Sequence, residues 1–263
     1  MELGLKDKVA LVTAASRGLG YATAHALAEE GAHIALCART EKTLVQAAER
    51  LAEETGADVL PIAADVADPG AANHLAAMTL ENFGQIDVLF INAGGPPPGK
   101  FLDFQPKDWE EATQLTIQSA VRLAYAVVPV MRKQKGGSIL INTSVTVRHP
   151  LDSLILSNSL RLALIGMVKS LSIELGPDNI RLNAIAPGWT RTERVDQLLN
   201  DRAKRNETTT EEEAAKISAA VPLGRIAEPE EYGKVAAFLL SPAASYVTGV
   251  TLLVDGGLSR AVM

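Results

Sequence analysis

What most constrains this chain is an alternation running from end to end, in which short apolar runs are separated by longer stretches patterned as helices. The short runs are VALVTA (9–14), IALCA (34–38), VLPIAA (59–64), VLFIN (88–92), SILINT (138–143), IRLNAIA (180–186) and VTLLV (250–254). Helix-like stretches fall at 20–30, 41–54, 106–132, 158–175 and 229–240. Strands apolar throughout, rather than alternating with polar residues, are buried on both faces, and strand–helix–strand repetition makes each strand parallel to the last. The expected fold is α/β, a doubly wound parallel sheet of about seven strands in three layers. With 263 residues, 47% apolar composition and no long linker or composition break, one domain spanning 1–263 is expected. A chain of that size buries about three quarters of its unfolded surface and needs no covalent staples.

Charge and cysteine usage remove several function classes. A formal net charge of −6 gives no basic surface for nucleic acid or an anionic membrane. Cys37 is the single cysteine, so no intramolecular disulfide or cysteine-rich metal site can form. The four histidines, His25, His33, His74 and His149, do not fall in metal-ligand spacings, and no metal is expected. The opening MELGLKDKVALVT lacks a secretion-signal pattern, and no apolar run reaches the ~18 residues of a membrane span. A soluble cytoplasmic protein is the expectation, and the sequon at Asn206-Glu207-Thr208 then carries no meaning. One stretch departs from the rhythm. Residues 191–220 are polar, charged and helix-prone, with Thr210 and Glu213 spaced as a capping box. They read either as a solvated surface hairpin or as a lid over a pocket.

The run Val12-Thr13-Ala14-Ala15-Ser16-Arg17-Gly18-Leu19-Gly20 ends the first strand and opens the first helix. Glycines at such a turn let the backbone approach a pyrophosphate, whose charge then rests on the helix N-terminus. The segment resembles the TGxxxGxG turn of the short-chain dehydrogenase/reductase family, with Ala14 in place of the first glycine. The likeness extends over nearly the whole chain. Asp65-Val66 is similar to the family's adenine-contacting pair and Asn92-Ala93-Gly94 to its NAG segment. Pro187-Gly188 with Thr190 and Thr192 resembles the PGxxxT nicotinamide segment, and Val254-Asp255-Gly256-Gly257 the C-terminal signature. The resemblance implies a Rossmann-type fold, a nicotinamide dinucleotide cofactor and a homotetramer or homodimer. Within the family the sequence resembles 3-oxoacyl-carrier-protein reductases, which implies a small-molecule or acyl-carrier substrate.

Charge decides between the two cofactors. NAD binders place an Asp or Glu about 20 residues past the glycine turn, where it bonds the ribose 2′-hydroxyl. Here the second strand ends Cys37-Ala38-Arg39, and no acid occurs before Glu41. Arg39 and Arg17 can instead face a 2′-phosphate, so NADP(H) is expected in preference to NAD(H).

The resemblance also implies a catalytic set of Asn, Ser, Tyr and Lys, the last two as YxxxK. Ser144 matches the Ser. Counting back from Gly166-Met167-Val168-Lys169 puts Ser157 at the Tyr position and Arg161 at the Lys position, and counting back from Pro129 puts Thr116 at the Asn position. Residues 157 and 161 share a helix face, so they can act together. A serine hydroxyl is a far weaker acid than a phenol of pKa about 10, and arginine keeps its proton at neutral pH. Arg161 can bond ribose hydroxyls and stabilise a developing alkoxide without protonating it. None of Tyr21, Tyr125, Tyr232 and Tyr246 is close in sequence to this site. His149 in the loop Val147-Arg148-His149-Pro150 is either a surface histidine or a substitute acid. The stiff run 94–99 (GGPPPG) is a tight turn or a pocket wall. Three functions stay open: an NADP(H)-dependent oxidoreductase with a divergent site, a non-catalytic NADP(H)-binding sensor or assembly protein, and non-redox chemistry such as dehydration or isomerisation.

Overall fold

The computed structural model describes residues 2–261; positions 1, 262 and 263 of the expected domain lie outside them. One sheet runs in the order β3-β2-β1-β4-β5-β6-β7, and every neighbouring pair is parallel. The strands are β1 (Val9–Val12), β2 (His33–Ala38), β3 (Val59–Ala63), β4 (Val88–Ile91), β5 (Gly137–Asn142), β6 (Ile180–Pro187) and β7 (Thr251–Val254). The doubly wound sheet expected from the apolar runs is therefore present, with Thr13 and Ala14 leaving β1 to join the turn. Not every run is buried on both faces, however. In β3 only Ile62 is buried, and in β7 no residue is, because these are the edge strands. Pro61, which cannot donate to a ladder, sits on one of these edges, where it is tolerated.

Helices α1 (Gly18–Glu29), α2 (Glu41–Thr55) and α9 (Pro229–Leu240) cover one face around Leu27, Leu36, Leu44, Leu51, Phe90 and Tyr232. On the other face lie α3 (Ala71–Phe83), α5 (Ser119–Gln134) and α6 (Ile155–Leu175), around Leu75, Leu89, Leu123, Val127, Ile141 and Leu164. The stretch expected as one helix over 106–132 is α4 (Pro106–Thr113) running through a π turn, Gln114–Gln118, into α5. Such a turn inserts a residue into the helical ladder and frequently marks a functional site.

The 191–220 stretch forms a helical hairpin, α7 (Glu193–Asn206) and α8 (Thr210–Ala220), over a small core of Trp189, Val195, Leu199, Ile217, Val221 and Ile226. Its capping box lies one residue earlier than the sequence spacing suggested. Thr209 Oγ1 accepts from the Glu212 amide at 3.1 Å, and the Glu212 carboxylate accepts from the Thr209 amide at 3.0 Å. Glu213 instead turns inward, where its Oε1 accepts from Lys216, Thr208 and Asn206 at 2.6, 2.8 and 3.1 Å. Those bonds, Lys216 first, hold its carboxyl down to about 2. A buried carboxylate needs such partners, and both helices and the link between them supply them. Among the described residues no helix is long and apolar enough to cross a membrane.

Candidate active site

The strand order reverses between β1 and β4: the chain leaves β1 toward β2 and leaves β4 toward β5. A crevice opens outside the carboxyl ends of strands at such a switch point. Thr13 stitches its two sides together, donating through Oγ1 to the Asn92 carbonyl at 2.8 Å and accepting from the Asn92 amide at 2.9 Å. Ala14 and Gly18 both adopt left-handed backbone, at φ +50° and +58°. Ala14 therefore takes a conformation that favours the glycine the family has there. At Gly20 a Cβ would stand 2.4 Å from the Ala14 carbonyl oxygen, so this position admits no side chain. Arg17, the N-cap of α1, makes no side-chain cap, which leaves the first-turn amides free for an acceptor. Ser16, Arg17, Gly18 and Leu19 thus present an uncapped helix start, whose chemistry fits the phosphates of a dinucleotide.

Two cations stand on the rim. Arg39 follows β2, with Nη1 3.6 Å from an Asp65 oxygen, and Arg17 pairs with Glu193 at the start of α7. Asp65 also accepts the Ala67 amide at 3.0 Å, while Val66 is buried in the core.

On the other side of the crevice, Ala93 and Gly94 follow Asn92 and line a cavity of about 10 Å³ with Thr116, Asn142 and Arg161. That is close to the volume one water needs. Thr116 Oγ1, on the π turn, is buried without a partner. Ser144 caps the 3₁₀ turn Val145–Val147, its Oγ accepting from the Thr146 amide at 3.2 Å. Ser157 and Arg161 meet one turn apart in α6, as their spacing requires, with Arg161 Nε donating to Ser157 Oγ at 3.2 Å. Arg161 Nη1 donates to the Asn142 and Thr143 carbonyls at 3.2 and 2.9 Å. The side chain is only 8% exposed, and burial brings the guanidinium down to about 10, leaving it charged at neutral pH. His149 is exposed beyond the 3₁₀ turn, its amide bonded to the Val145 carbonyl at 2.9 Å, and is not part of this buried set.

The remaining predicted residues close the site from β6. Pro187 ends the strand, and a Cβ on Gly188 would stand 2.7 Å from Asp255 Cα. Thr190 is buried and bridges to Ala227, its Oγ1 unpartnered. Thr192 caps α7, accepting the Val195 amide at 3.4 Å, and its methyl group borders Gly18. The proline-rich run 94–99 makes no turn and runs as irregular backbone, with Gly94 lining the cavity above and Pro98 lining a second one with Trp189 and Arg202. Gly99 pairs with Leu154 in an isolated parallel bridge, and Arg194 Nη2 donates to the Pro96 carbonyl at 2.6 Å. Arg205 Nη1 fastens α7 to Ser153 Oγ at 2.7 Å.

Three residues at this site were not legible in the sequence. Tyr232, remote in sequence, lies in α9 with 0% exposure and donates its hydroxyl proton to Asn142 Oδ1 at 2.9 Å. Asn142 Nδ2 in turn donates to Asn92 Oδ1 at 2.8 Å. Burial raises Tyr232 well above the ordinary phenol value, with Arg161 opposing that rise. One tyrosine thus does reach the underside of the site, yet it is sealed from the crevice. The third is Arg194. The only signal for Tyr232 was a polar tip on the apolar stripe of 229–240, for Arg194 a cation two positions past Thr192, and for Asn142 a polar residue near the end of the run SILINT.

The family model described as enoyl-(acyl carrier protein) reductase matches residues 13–259. The chain belongs to the short-chain dehydrogenase/reductase family. Dehydrogenase/reductase SDR family member 4 of Homo sapiens is 35% identical over 254 residues, covering 96% of this chain and 88% of that protein. The 3alpha-hydroxysteroid dehydrogenase of Mediterraneibacter gnavus is 35% identical over 257 residues, covering 97% and 98%. The crystal structure of L-sorbose reductase from Gluconobacter frateurii, complexed with NADPH and L-sorbose, superposes with a TM-score of 0.95. It is 35% identical, and the match covers 100% of both chains. As a short-chain dehydrogenase/reductase, the chain stands among oxidoreductases.

Proposed function

We propose that this chain is an NADP(H)-dependent oxidoreductase that interconverts a carbonyl and an alcohol on a small or acyl-carrier-borne substrate. The observation that carries this reading is the meeting, at the carboxyl ends of the sheet's central strands, of the open glycine turn, flanked by Arg17 and Arg39, with Ser144 and Arg161. Two arginines and the absent carboxylate after β2 favour a 2′-phosphate, and the sorbose reductase neighbour holds NADPH. NAD(H) is the less favoured partner. In this reading Thr13–Gly20 receive the pyrophosphate, Asp65 and Val66 border the adenine, and Asn92–Gly94, Arg161 and Pro187–Thr192 hold the nicotinamide end. The bound cofactor supplies or accepts the hydride.

The chain's own residues do the rest. Ser144 Oγ orients the carbonyl oxygen, and the Arg161 charge stabilises the negative charge that develops there. Ser157 Oγ accepts from Arg161 and is too weak an acid to replace a phenol. The proton comes from water or from His149 at the rim. The α7–α8 hairpin acts as a lid, held by Arg17–Glu193, Arg194–Pro96 and Arg205–Ser153. Exposed Tyr125, Leu162 and Ile173 on α5 and α6, with Tyr246 before β7 and Leu252 in it, support two self-association surfaces and hence a homotetramer. The lone, buried Cys37 suits a reducing cytoplasm.

One observation favours a second reading. Arg161 Nη1 is engaged by two backbone carbonyls, a structural use that fits a non-catalytic NADP(H) sensor or assembly protein, or non-redox chemistry. Fluorescence titration with NADPH and NADH, followed by turnover of ketones and 3-oxoacyl thioesters, separates the readings. Tighter NADPH binding with turnover supports the oxidoreductase. Binding without turnover favours the second reading, and equal affinities remove the charge argument.

A further inference from the structure

Arg194 is held in place by far less than its donors allow. Its guanidinium lies against the Gly95 backbone, Nε 3.2 Å and Nη2 3.4 Å from where a Cβ would stand, and Nη2 donates to the Pro96 carbonyl at 2.6 Å. Among the described residues that is its one hydrogen bond, and no carboxylate comes within ion-pair distance. Asp201, two turns further along α7, is the acid that faces it, and only at longer range. Burial has stripped the group of part of its water, and Arg161 is near enough for the two cations to repel one another. A desolvated charge is ordinarily paired; Arg161 is met by its three hydrogen bonds, but Arg194, with one bond and no close carboxylate, is an incomplete arrangement. Their position is equally informative. Gly95 and Pro96 directly follow Asn92-Ala93-Gly94, and Arg161 is bonded to the carbonyls of residues 142 and 143, just before Ser144. The glycine turn and Arg17, which suit a pyrophosphate, meet the start of α7 through Thr192 and Glu193 instead.

We propose that Arg194, with the Arg161 charge behind it, receives a carboxylate carried by the substrate. The substrate class is then an oxo acid or its hydroxy acid, not a neutral ketone. The unused part of the Arg194 fork matches a carboxylate through paired N–H donors, which an ammonium cannot reproduce. This inference rests on the redox reading above for turnover, but not for binding.

The test uses the full chain saturated with NADPH and pairs of compounds that share one carbonyl, each an oxo acid and its methyl ester. The acid-to-ester ratio of kcat/KM should be high in the native protein and fall by about 10²-fold in Arg194→Gln, with Arg194→Lys between. Calorimetric binding of the corresponding hydroxy acids to the NADPH complex gives a readout independent of turnover. It should weaken by a similar factor in Arg194→Gln and weaken further with added salt. Turnover of esters and acids alike would overturn the carboxylate site and leave the redox reading standing. Hydroxy-acid binding that depends on Arg194, with no turnover of either compound, would keep the site and remove the redox reading. If Arg194→Gln weakens NADPH as much as hydroxy acid, the arginine serves the cofactor pyrophosphate and the proposal fails. No binding of hydroxy acid to the native complex also overturns it.

Discussion

Truncating Arg161 to alanine separates its structural role from its cofactor role. Three hydrogen bonds disappear, one to Ser157 Oγ and two to the carbonyls of Asn142 and Thr143 at the end of β5. Each buried carbonyl left without a donor costs ~1–3 kcal/mol, and the emptied volume adds ~2 kcal/mol. Against this stands the relief of removing a buried charge. The burial that brings the guanidinium from 12.5 to about 10 corresponds to roughly 3 kcal/mol disfavouring the charged form. The balance is a net loss of about 3 kcal/mol, or a fall in Tm of roughly 6–12 °C for a chain of this size. Thermal unfolding at fixed protein concentration reads this directly. Repeating it with saturating NADPH adds a second measurement, because a ligand raises Tm in proportion to the logarithm of its affinity. If Arg161 also holds the nicotinamide ribose, the NADPH-induced rise shrinks in Arg161→Ala and partly returns in Arg161→Lys. A native Tm in the alanine variant would refute the structural argument. An undiminished NADPH shift would remove Arg161 from the cofactor site.

Arg39→Asp should reverse the cofactor preference, since a carboxylate there repels a 2′-phosphate and can bond a 2′-hydroxyl; fluorescence titration with both dinucleotides checks it, and an unchanged order refutes it. Glu213 is held at about 2, below its ordinary 4.5, so its stabilising effect is complete above about pH 4.5 and is lost as pH falls toward 2. Glu213→Gln should therefore unfold at lower denaturant than the native chain at pH 6, the two midpoints converging as pH falls; a pH-independent gap would refute this. Ser157→Tyr combined with Arg161→Lys restores a phenol and an ammonium on adjacent turns of α6, and carbonyl reduction should rise by up to about 10²–10⁴. No gain in steady-state assays of ketone reduction would favour the binding or non-redox readings.

The sequence made the sheet legible because parallel strands are specified locally: an apolar run buried on both faces reads the same wherever the chain places it. Only β3 and β7 departed, since edge position depends on strand order and not on the run itself. The glycine turn was legible for a similar reason, as Gly18 and Gly20 report backbone demands met within one loop. Ser157 and Arg161 met because helical spacing fixes their separation. Tyr232 and Arg194 were not legible, because their roles come from partners 90 and 98 residues away in the chain. Thr116 could be located by counting, but the π turn that carries it left no pattern in the apolar spacing. The capping box was missed by a single residue, since Thr209 and Thr210 offer the same chemistry and burial of Glu213 decides between them.

These long-range contacts join into one polar chain beneath the crevice. Asn92 Nδ2 donates to the Ala14 carbonyl at 3.3 Å, and its Oδ1 accepts from Asn142. Asn142 accepts the Tyr232 proton on its side-chain oxygen and the Arg161 guanidinium on its backbone oxygen. Reversing Asn92 would set its oxygen against the Ala14 carbonyl and its amide nitrogen against that of Asn142, and reversing Asn142 would set two oxygens against each other, so each orientation is fixed by its neighbours. In a low-dielectric interior such a satisfied network is rigid, and breaking one link leaves the others unpaired. The consequence for chemistry is specific. The Tyr232 proton is committed to Asn142, and burial holds it more firmly than a free phenol would. Arg161 keeps its charge and cannot act as a proton donor at neutral pH. The network can therefore orient groups and stabilise charge, but it cannot release a proton toward a substrate. On the redox reading, the proton for the alcohol oxygen has to enter from the open side of the crevice, where Ser144 and solvent stand.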